Sequence, residues 1–134
     1  MELVAIKNGI SFYDSSIDST PARTVATLSA FQKDKAIVLL GGYDKNLSYD
    51  ALREGLSGIK CAVICGANSK KIYRSIEGVC RIKLCGDLNE SIKTAYRMAS
   101  SGDSIVLSPA SASFDAFENY LKRSEKFKET VRGL

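Results

Sequence analysis

Ala36-Ile37-Val38-Leu39-Leu40-Gly41-Gly42 is an unbroken apolar run that ends in two glycines. Such a run, with no polar alternation, is typical of a strand that is covered on both faces of a parallel sheet. Short apolar runs recur further along the chain, at 61–65, 81–84 and 104–107. Segments with helical spacing of their apolar residues separate or follow these runs, at 49–56, 69–76, 88–99 and 113–132. The alternation predicts parallel strands joined by helical crossovers.

The N-terminal segment predicts a β-hairpin. Apolar runs at 3–6 and 10–13 flank Lys7-Asn8-Gly9, and Asn-Gly between short apolar runs is a strong hairpin signal. A helix is expected over 21–32, with Thr20 as its N-cap before Pro21. The predicted fold class is therefore α/β: a three-layer, Rossmann-like open sheet, mostly parallel, with the hairpin at or near one edge and helices on both faces.

Composition limits the class of protein. The 134 residues are 45% hydrophobic and 25% charged, which predicts one ordinary globular domain over 1–134 and excludes disordered, collagen-like and membrane-spanning chains. Nineteen basic and 15 acidic residues, spread along the chain, give a net charge of +4 and do not indicate a nucleic-acid partner. The residues after Met1 do not resemble a signal peptide, because Glu2 follows and no apolar stretch precedes a small-residue cleavage site. We expect a cytoplasmic monomer with no nucleic-acid or membrane partner.

Histidine is absent from the chain, which removes the usual general base and the commonest nitrogen ligand for zinc. Four cysteines lie in or beside apolar segments, at 61, 65, 80 and 85. That placement favours buried, reduced thiols over a zinc site. We therefore expect no metal site in this chain.

Ligands of open parallel sheets bind outside the carboxyl ends of the strands. The segments at these ends are small and polar, at 14–16, 41–45, 66–68, 85–87 and 108–113. Neither a P-loop nor a dinucleotide-binding glycine fingerprint is present. Gly41-Gly42 is compatible with a tight turn, Lys45 with a solvated lysine, and Ser113 with a helix N-cap followed by Asp115 in the first turn. The residues alone predict a domain that binds something anionic near Lys45 and Ser113.

Two of these loops resemble signatures of the C-terminal domain of the Mur ligases that add D-glutamate. They are Gly41-Gly42-Tyr43-Asp44-Lys45 and Leu107-Ser108-Pro109-Ala110-Ser111-Ala112-Ser113-Phe114-Asp115. The match continues through 117–120 and 123–127, and residues 13–19 resemble the family's first loop, often written N-D-S-K-A-T-N. The resemblance covers nearly the whole chain, and the Ser-Pro-Ala segment is its most specific part.

The resemblance implies a bacterial cytoplasmic ligase of peptidoglycan biosynthesis. Such ligases use ATP and Mg²⁺ to phosphorylate the carboxylate of UDP-N-acetylmuramoyl-L-alanine, and the amine of D-glutamate then attacks the acyl phosphate. One domain holds the uridine nucleotide, a central one carries the P-loop and the magnesium ligands, and the C-terminal one brings D-glutamate. By this resemblance the chain is the C-terminal domain, excised from a longer protein. It is expected to be inactive alone, with no catalytic residue and no tightly bound cofactor of its own.

The resemblance also implies residue roles. Lys45 matches the lysine that pairs with a D-glutamate carboxylate, and Ser113 matches the serine that hydrogen-bonds the same amino acid. Phe114 is expected to supply a backbone contact, and Tyr120 stands where the family commonly has an aromatic residue. Asp14 matches the acid that meets the ATP ribose.

The first loop departs from the family pattern. Ser16 replaces the usual lysine, Asp18 the threonine and Ser19 the asparagine. Ser16 keeps a nucleotide-binding position but loses the lysine's means of contacting phosphate. Asp18 cannot donate a hydrogen bond to a carboxylate as threonine does, so within the D-glutamate site it is expected to face a metal, a water or the substrate ammonium.

Two other classes of protein stay open on the sequence. One is a free-standing regulatory or carrier domain that binds a small anion. The other is a nucleotide-dependent oxidoreductase or kinase, which the missing glycine fingerprint and P-loop disfavour.

Overall fold

A six-stranded sheet organises the computed structural model, which describes residues 1–114 and 116–134. The strands are β1 (Glu2–Lys7), β2 (Ile10–Asp14), β3 (Ala36–Leu40), β4 (Cys61–Ile64), β5 (Ile82–Leu84) and β6 (Ser104–Leu107). Their order across the sheet is β1-β2-β6-β3-β4-β5. β1 and β2 are antiparallel, and the other neighbouring pairs are parallel. The predicted sheet, with its hairpin at one edge, is confirmed.

Helices cover both faces of the sheet. They are α1 (Pro21–Leu28), α2 (Leu52–Gly55), α3 (Ser69–Ile76), α4 (Leu88–Met98) and α5 (Tyr120–Arg132), with a short 3₁₀ turn at Lys33–Lys35. Ile37 and Leu39 of β3 pack into the core shared with α4 and α5, whereas Val38 and Leu40 pack into the core shared with α1, α2 and α3. Each strand of this kind is buried on both faces, which explains its unbroken apolar run and confirms the three layers.

Local sequence signals explain how the first elements begin and end. Asn8 and Gly9 have φ angles of 53° and 76°, the left-handed pair that a tight hairpin turn requires. The Thr20 hydroxyl accepts a hydrogen bond from the Arg23 N–H at 3.4 Å and caps α1. The helix ends at Leu28, earlier than the predicted 32, because the chain tightens into i→i+3 hydrogen bonds there.

The C-terminal helix begins later than predicted. α5 begins at Tyr120, and the Asn119 side chain caps it by accepting a hydrogen bond from the Lys122 N–H at 3.0 Å. The Ser113 carbonyl instead accepts a hydrogen bond from the Phe117 N–H at 2.9 Å. The alternative in which Ser113 caps this helix is wrong, and Asp115 lies outside the described residues.

Two smaller expectations need correction. The helix predicted over 49–56 is one turn at Leu52–Gly55, because the residues before it form i→i+3 hydrogen bonds, from the Leu52 N–H to the Tyr49 carbonyl and from the Arg53 N–H to the Asp50 carbonyl. Of the four cysteines only Cys61 is fully buried, and the others are half-buried. Among the described residues, no helix has both the length and the apolar character needed to cross a membrane.

Candidate functional site

Three loops meet at the carboxyl edge of the sheet, because they follow the neighbouring parallel strands β6, β3 and β4. The Gly41 N–H donates to the Pro109 carbonyl at 2.9 Å, and the Tyr43 N–H donates to the Ala112 carbonyl at 2.9 Å. These bonds hold the segment after β3 against the segment after β6. Lys45 and Ser113, which are far apart in the chain, are thereby brought to the same rim.

A cleft of about 140 Å³ opens between these loops and the beginning of α5. We call it the Lys45 cleft; its lining residues are Ser19, Lys45, Ala112, Ser113, Phe114, Asn119, Tyr120 and Arg123. Four of the five residues predicted to hold D-glutamate therefore lie together. Lys45 is exposed at the mouth, whereas Ser113 is 2% exposed. Their contacts with a ligand stay predictions.

The charges around the cleft favour an anionic ligand. Asp44, next to Lys45 in sequence, forms an ion pair with Lys71 at 3.3 Å. The Asn46 N–H and the Lys71 ammonium hold the pKa of Asp44 below its usual value. Among the residues that the structure describes, no ion pair engages the Lys45 ammonium. A lysine so placed can pair with a carboxylate from a ligand.

Aromatic rings form the outer wall of the cleft. Phe114 and Tyr43 pack edge to face with their ring centroids 6.2 Å apart. Phe114 is 62% exposed and Tyr120 is 40% exposed. These rings offer apolar surface to the methylene groups of a small ligand while leaving the mouth open.

Asp14 and Ser16 lie on the first loop, beside the cleft. Asp14 ends β2, and its Oδ1 accepts a hydrogen bond from the Ser16 N–H at 2.9 Å. The Ser16 hydroxyl accepts from Arg123 Nε at 2.9 Å and donates to the Tyr120 carbonyl at 3.0 Å. Asp14 is thus a carboxylate of fixed orientation near the rim. Ser16 is buried and bonded within the fold, and its nucleotide role stays a prediction.

Asp18 does not line the Lys45 cleft. Its carboxylate is buried and accepts hydrogen bonds from the Thr27 hydroxyl at 2.6 Å and the Ser108 hydroxyl at 2.7 Å. Arg23 approaches its other oxygen at 3.8 Å. The structure therefore places Asp18 in an internal network between α1 and the end of β6, away from the other four predicted D-glutamate residues.

Arg123 lines the cleft but is not among the site residues predicted from the sequence. It is 3% exposed, and it lines both the Lys45 cleft and a neighbouring apolar cavity of about 150 Å³ beneath the glycine loops. A signal was available, because Arg123, Phe127 and Val131 recur at intervals of four and form the buried face of α5. An arginine at such a position is buried, and a buried arginine needs internal hydrogen-bond acceptors.

ATP and Mg²⁺ require different groups from the protein: hydrogen-bond partners for the nucleotide, and clustered oxygen ligands for the metal ion. In the part of the chain that the structure describes, no group of three or more cysteine, aspartate or glutamate side chains is arranged to hold a metal ion. A ribose hydroxyl needs only one acceptor, and the oriented carboxylate of Asp14 fits that need. The described residues therefore fit a contact between the Asp14 carboxylate and the nucleotide sugar better than they fit a magnesium site.

The fold and the cleft together define a class of protein: a doubly wound α/β domain with a cleft suited to a small anion at the carboxyl end of its parallel strands. Residues 1–111 match the family model "Mur ligase, glutamate ligase domain". The chain belongs to this family, as its loop signatures indicated.

Curated proteins of similar sequence carry the names of D-glutamate ligases. A UDP-N-acetylmuramoylalanine–D-glutamate ligase from Acetivibrio thermocellus is 44% identical over 100% of the chain and 31% of that protein. The corresponding ligase from Ruminiclostridium cellulolyticum is 42% identical, with the same coverage. The chain thus spans about 31% of the length of these curated relatives.

One solved structure shares the fold. It is a domain assigned to a UDP-N-acetylmuramate:L-alanyl-gamma-D-glutamyl-meso-diaminopimelate ligase from Haemophilus ducreyi. It aligns with a TM-score of 0.64 and 16% identity over 97% of this chain and 98% of that domain. At this identity the likeness supports the architecture alone.

Proposed function

We propose that this chain is the D-glutamate-binding, C-terminal part of a bacterial, cytoplasmic, ATP-dependent ligase that adds D-glutamate to UDP-N-acetylmuramoyl-L-alanine in peptidoglycan biosynthesis. The observation that carries the proposal is the Lys45 cleft. It gathers an exposed ammonium, a buried hydroxyl and two aromatic side chains on one rim. Family membership and the names of the relatives point to the same reaction.

The cleft is suited to holding and orienting the amino acid. D-Glutamate offers two carboxylates, and the Lys45 ammonium at the mouth pairs with one of them as a point charge. The Ser113 hydroxyl donates a hydrogen bond from the floor, and Phe114 and Tyr120 cover the methylene groups. Held in this way, the amine is directed towards the acyl group that it attacks, which is a contribution of orientation.

ATP, bound with Mg²⁺, supplies the phosphoryl group that activates the carboxylate of the nucleotide substrate. We assign Asp14 to the ATP ribose and the magnesium ligands to the remainder of the ligase. The chain alone is then expected to be inactive, because phosphoryl transfer needs a phosphate cradle and metal ligands.

Replacing Lys45 by alanine in the full-length ligase tests the proposal. The loss of a charge-assisted contact to a carboxylate, about 1.5 to 3 kcal/mol, raises the KM for D-glutamate roughly ten- to a hundredfold. Ser113→Ala acts in the same direction but more weakly, since it removes a neutral donor. Steady-state kinetics with D-glutamate, ATP and the nucleotide substrate varied in turn measure these effects.

Lys93→Ala is the matched control, because Lys93 is an exposed lysine on α4, away from the cleft. It should keep wild-type kinetics. An unchanged KM for D-glutamate in the Lys45→Ala enzyme would show that Lys45 is a solvated surface lysine and would refute the proposed anchor.

A further inference from the structure

Asn68 lies where the three rim loops meet. Its side chain is buried, and Oδ1 accepts a hydrogen bond from the Gly42 N–H at 2.8 Å. Nδ2 donates to the Ser111 hydroxyl at 2.8 Å and to the Tyr49 hydroxyl at 2.7 Å. The Asn68 backbone N–H donates to the Gly42 carbonyl at 3.2 Å. One amide group therefore joins the segment after β3 to the segment after β6.

The orientation of this side chain is not explained by its own helix. Asn68 is the N-cap residue of α3, where an asparagine ordinarily accepts a hydrogen bond from an N–H of the first turn. Its side chain makes no such bond, and its oxygen is used by Gly42 of a different loop. The Asn68 side chain therefore connects two loops instead of capping α3.

The loops that Asn68 joins have little freedom to move separately. A Cβ atom at Gly42 would overlap the Ala112 carbonyl oxygen, and one at Gly41 would overlap the Cys65 carbonyl oxygen. The loop backbones are thus in direct contact. Lys45 closely follows Gly42 in the chain, and Ser113 closely follows Ser111, so a shift of either anchored segment displaces a cleft residue.

We propose that Asn68 is a positioning residue of the Lys45 cleft, which fixes the separation between the Lys45 ammonium and the Ser113 hydroxyl. Asn68 does not line the cleft, and it acts through the two loops that carry these groups. The inference rests on the proposed function, since both groups are proposed to hold the same D-glutamate. A bound amino acid is sensitive to such spacing because its two contacts must form together.

The test uses the full-length ligase with Asn68→Ala and Asn68→Asp. Asn68→Ala is expected to raise the KM for D-glutamate about tenfold, with the KM for ATP changed by less than about twofold. Aspartate keeps an acceptor for the Gly42 N–H, and the Ser111 and Tyr49 hydroxyls can turn to donate to it. Asn68→Asp should therefore recover part of the loss, with a KM for D-glutamate raised about threefold.

A matched control separates positioning from general stability. Asp103 is also a buried polar residue with internal hydrogen bonds. It lies at the amino end of β6, whereas the Lys45 cleft lies at the carboxyl ends of the strands. Asp103→Asn should lower the unfolding temperature and leave the KM for D-glutamate unchanged. A lower kcat at constant KM in Asn68→Ala would indicate a merely structural role and overturn the inference.

Comparison with Lys45→Ala distinguishes the two proposals. If Lys45→Ala raises the KM for D-glutamate and Asn68→Ala does not, the positioning role is wrong and the proposed function stands. If neither variant changes it, both proposals fail. The effects of Asn68→Ala and Lys45→Ala should be less than additive in the double variant, because one acts through the other. Should Asn68→Ala not fold, Asn68→Asp decides alone: an unchanged KM for D-glutamate overturns the inference.

Discussion

Replacing Asp18 by asparagine distinguishes a ligand of the cleft from a member of an internal network. The family pattern suggests a D-glutamate contact at this position, whereas the contacts made by Asp18 lie inside the fold. Its Oδ2 accepts hydrogen bonds from the Thr27 and Ser108 hydroxyls at 2.6 and 2.7 Å. We expect Asp18→Asn to lower stability and to leave the KM for D-glutamate nearly unchanged.

The size of the stability loss follows from these contacts. A hydrogen bond to a charged group contributes about 1.5 to 3 kcal/mol and a neutral one about 0.5 to 1.5 kcal/mol. The asparagine oxygen can keep both hydroxyl partners, so the variant loses charge assistance in two bonds, about 2 kcal/mol in all. The Arg23 pair adds little, because 57% of the arginine side chain is exposed. With an unfolding entropy of about 0.28 kcal/mol/K for a chain of this length, the unfolding temperature should fall by about 7 °C.

Thermal unfolding of this chain, followed by circular dichroism, measures the fall in unfolding temperature. Steady-state kinetics of the full-length ligase measure the KM for D-glutamate. Asp34→Asn is the control, because Asp34 is exposed in the 3₁₀ turn. An unfolding temperature within about 2 °C of wild type, or a tenfold rise in the KM for D-glutamate at unchanged stability, would refute the internal role.

Three further predictions concern the fold around the site. Burial raises the pKa of Asp103, but the hydrogen bonds from the Lys60 ammonium and the Ser100 N–H, together with the nearby positive charges, outweigh burial and leave that pKa below the usual 3.8. The stabilisation is therefore present above about pH 4 and is lost as the pH falls through the lowered value. Acid titration of unfolding should show this slope and lose it in Asp103→Asn. Gly41→Ala should cost more than about 3 kcal/mol, because φ is 106° and a Cβ would overlap the Cys65 carbonyl oxygen; a soluble variant of wild-type stability would contradict this. Burial raises the pKa of the Cys61 thiol to about 11, so mass spectrometry after iodoacetamide treatment at pH 8 should find it the slowest of the four cysteines to react.

The parts of the fold that followed from the sequence are those whose causes are local. Asn8-Gly9 determines the hairpin turn, Thr20 caps α1, and the unbroken apolar run of β3 indicates burial on both faces. The beginning of α5 could not be located in this way, since Ser113 and Asn119 are both acceptable caps. The choice of Asn119 depends on the three-dimensional position of the loop after β6.

The site was predictable where residues follow strand ends. Lys45 and Ser113 follow β3 and β6, and the topology of parallel strands brings such positions together. Arg123 was not predicted, and Asn68 was predicted only as part of the segment after β4, because their roles lie in hydrogen bonds between distant segments, to Ser16 in one case and to Gly42 in the other. No spacing along the chain encodes those partners.

The first loop departs from the family's motif, and its internal contacts explain how the rim of the Lys45 cleft is nevertheless kept in place. Ser16 bonds to Arg123 and to the Tyr120 carbonyl, which joins the loop to α5. Asp18 bonds to Thr27 and Ser108, which joins the same loop to α1 and to the end of β6. A lysine or a threonine could not reproduce both sets of contacts, because the ammonium would face the guanidinium and the hydroxyl would replace a two-oxygen acceptor. The substituted positions therefore hold the first loop in place beside the Lys45 cleft, and we expect recognition of the substrate carboxylates to fall to Lys45 and Ser113.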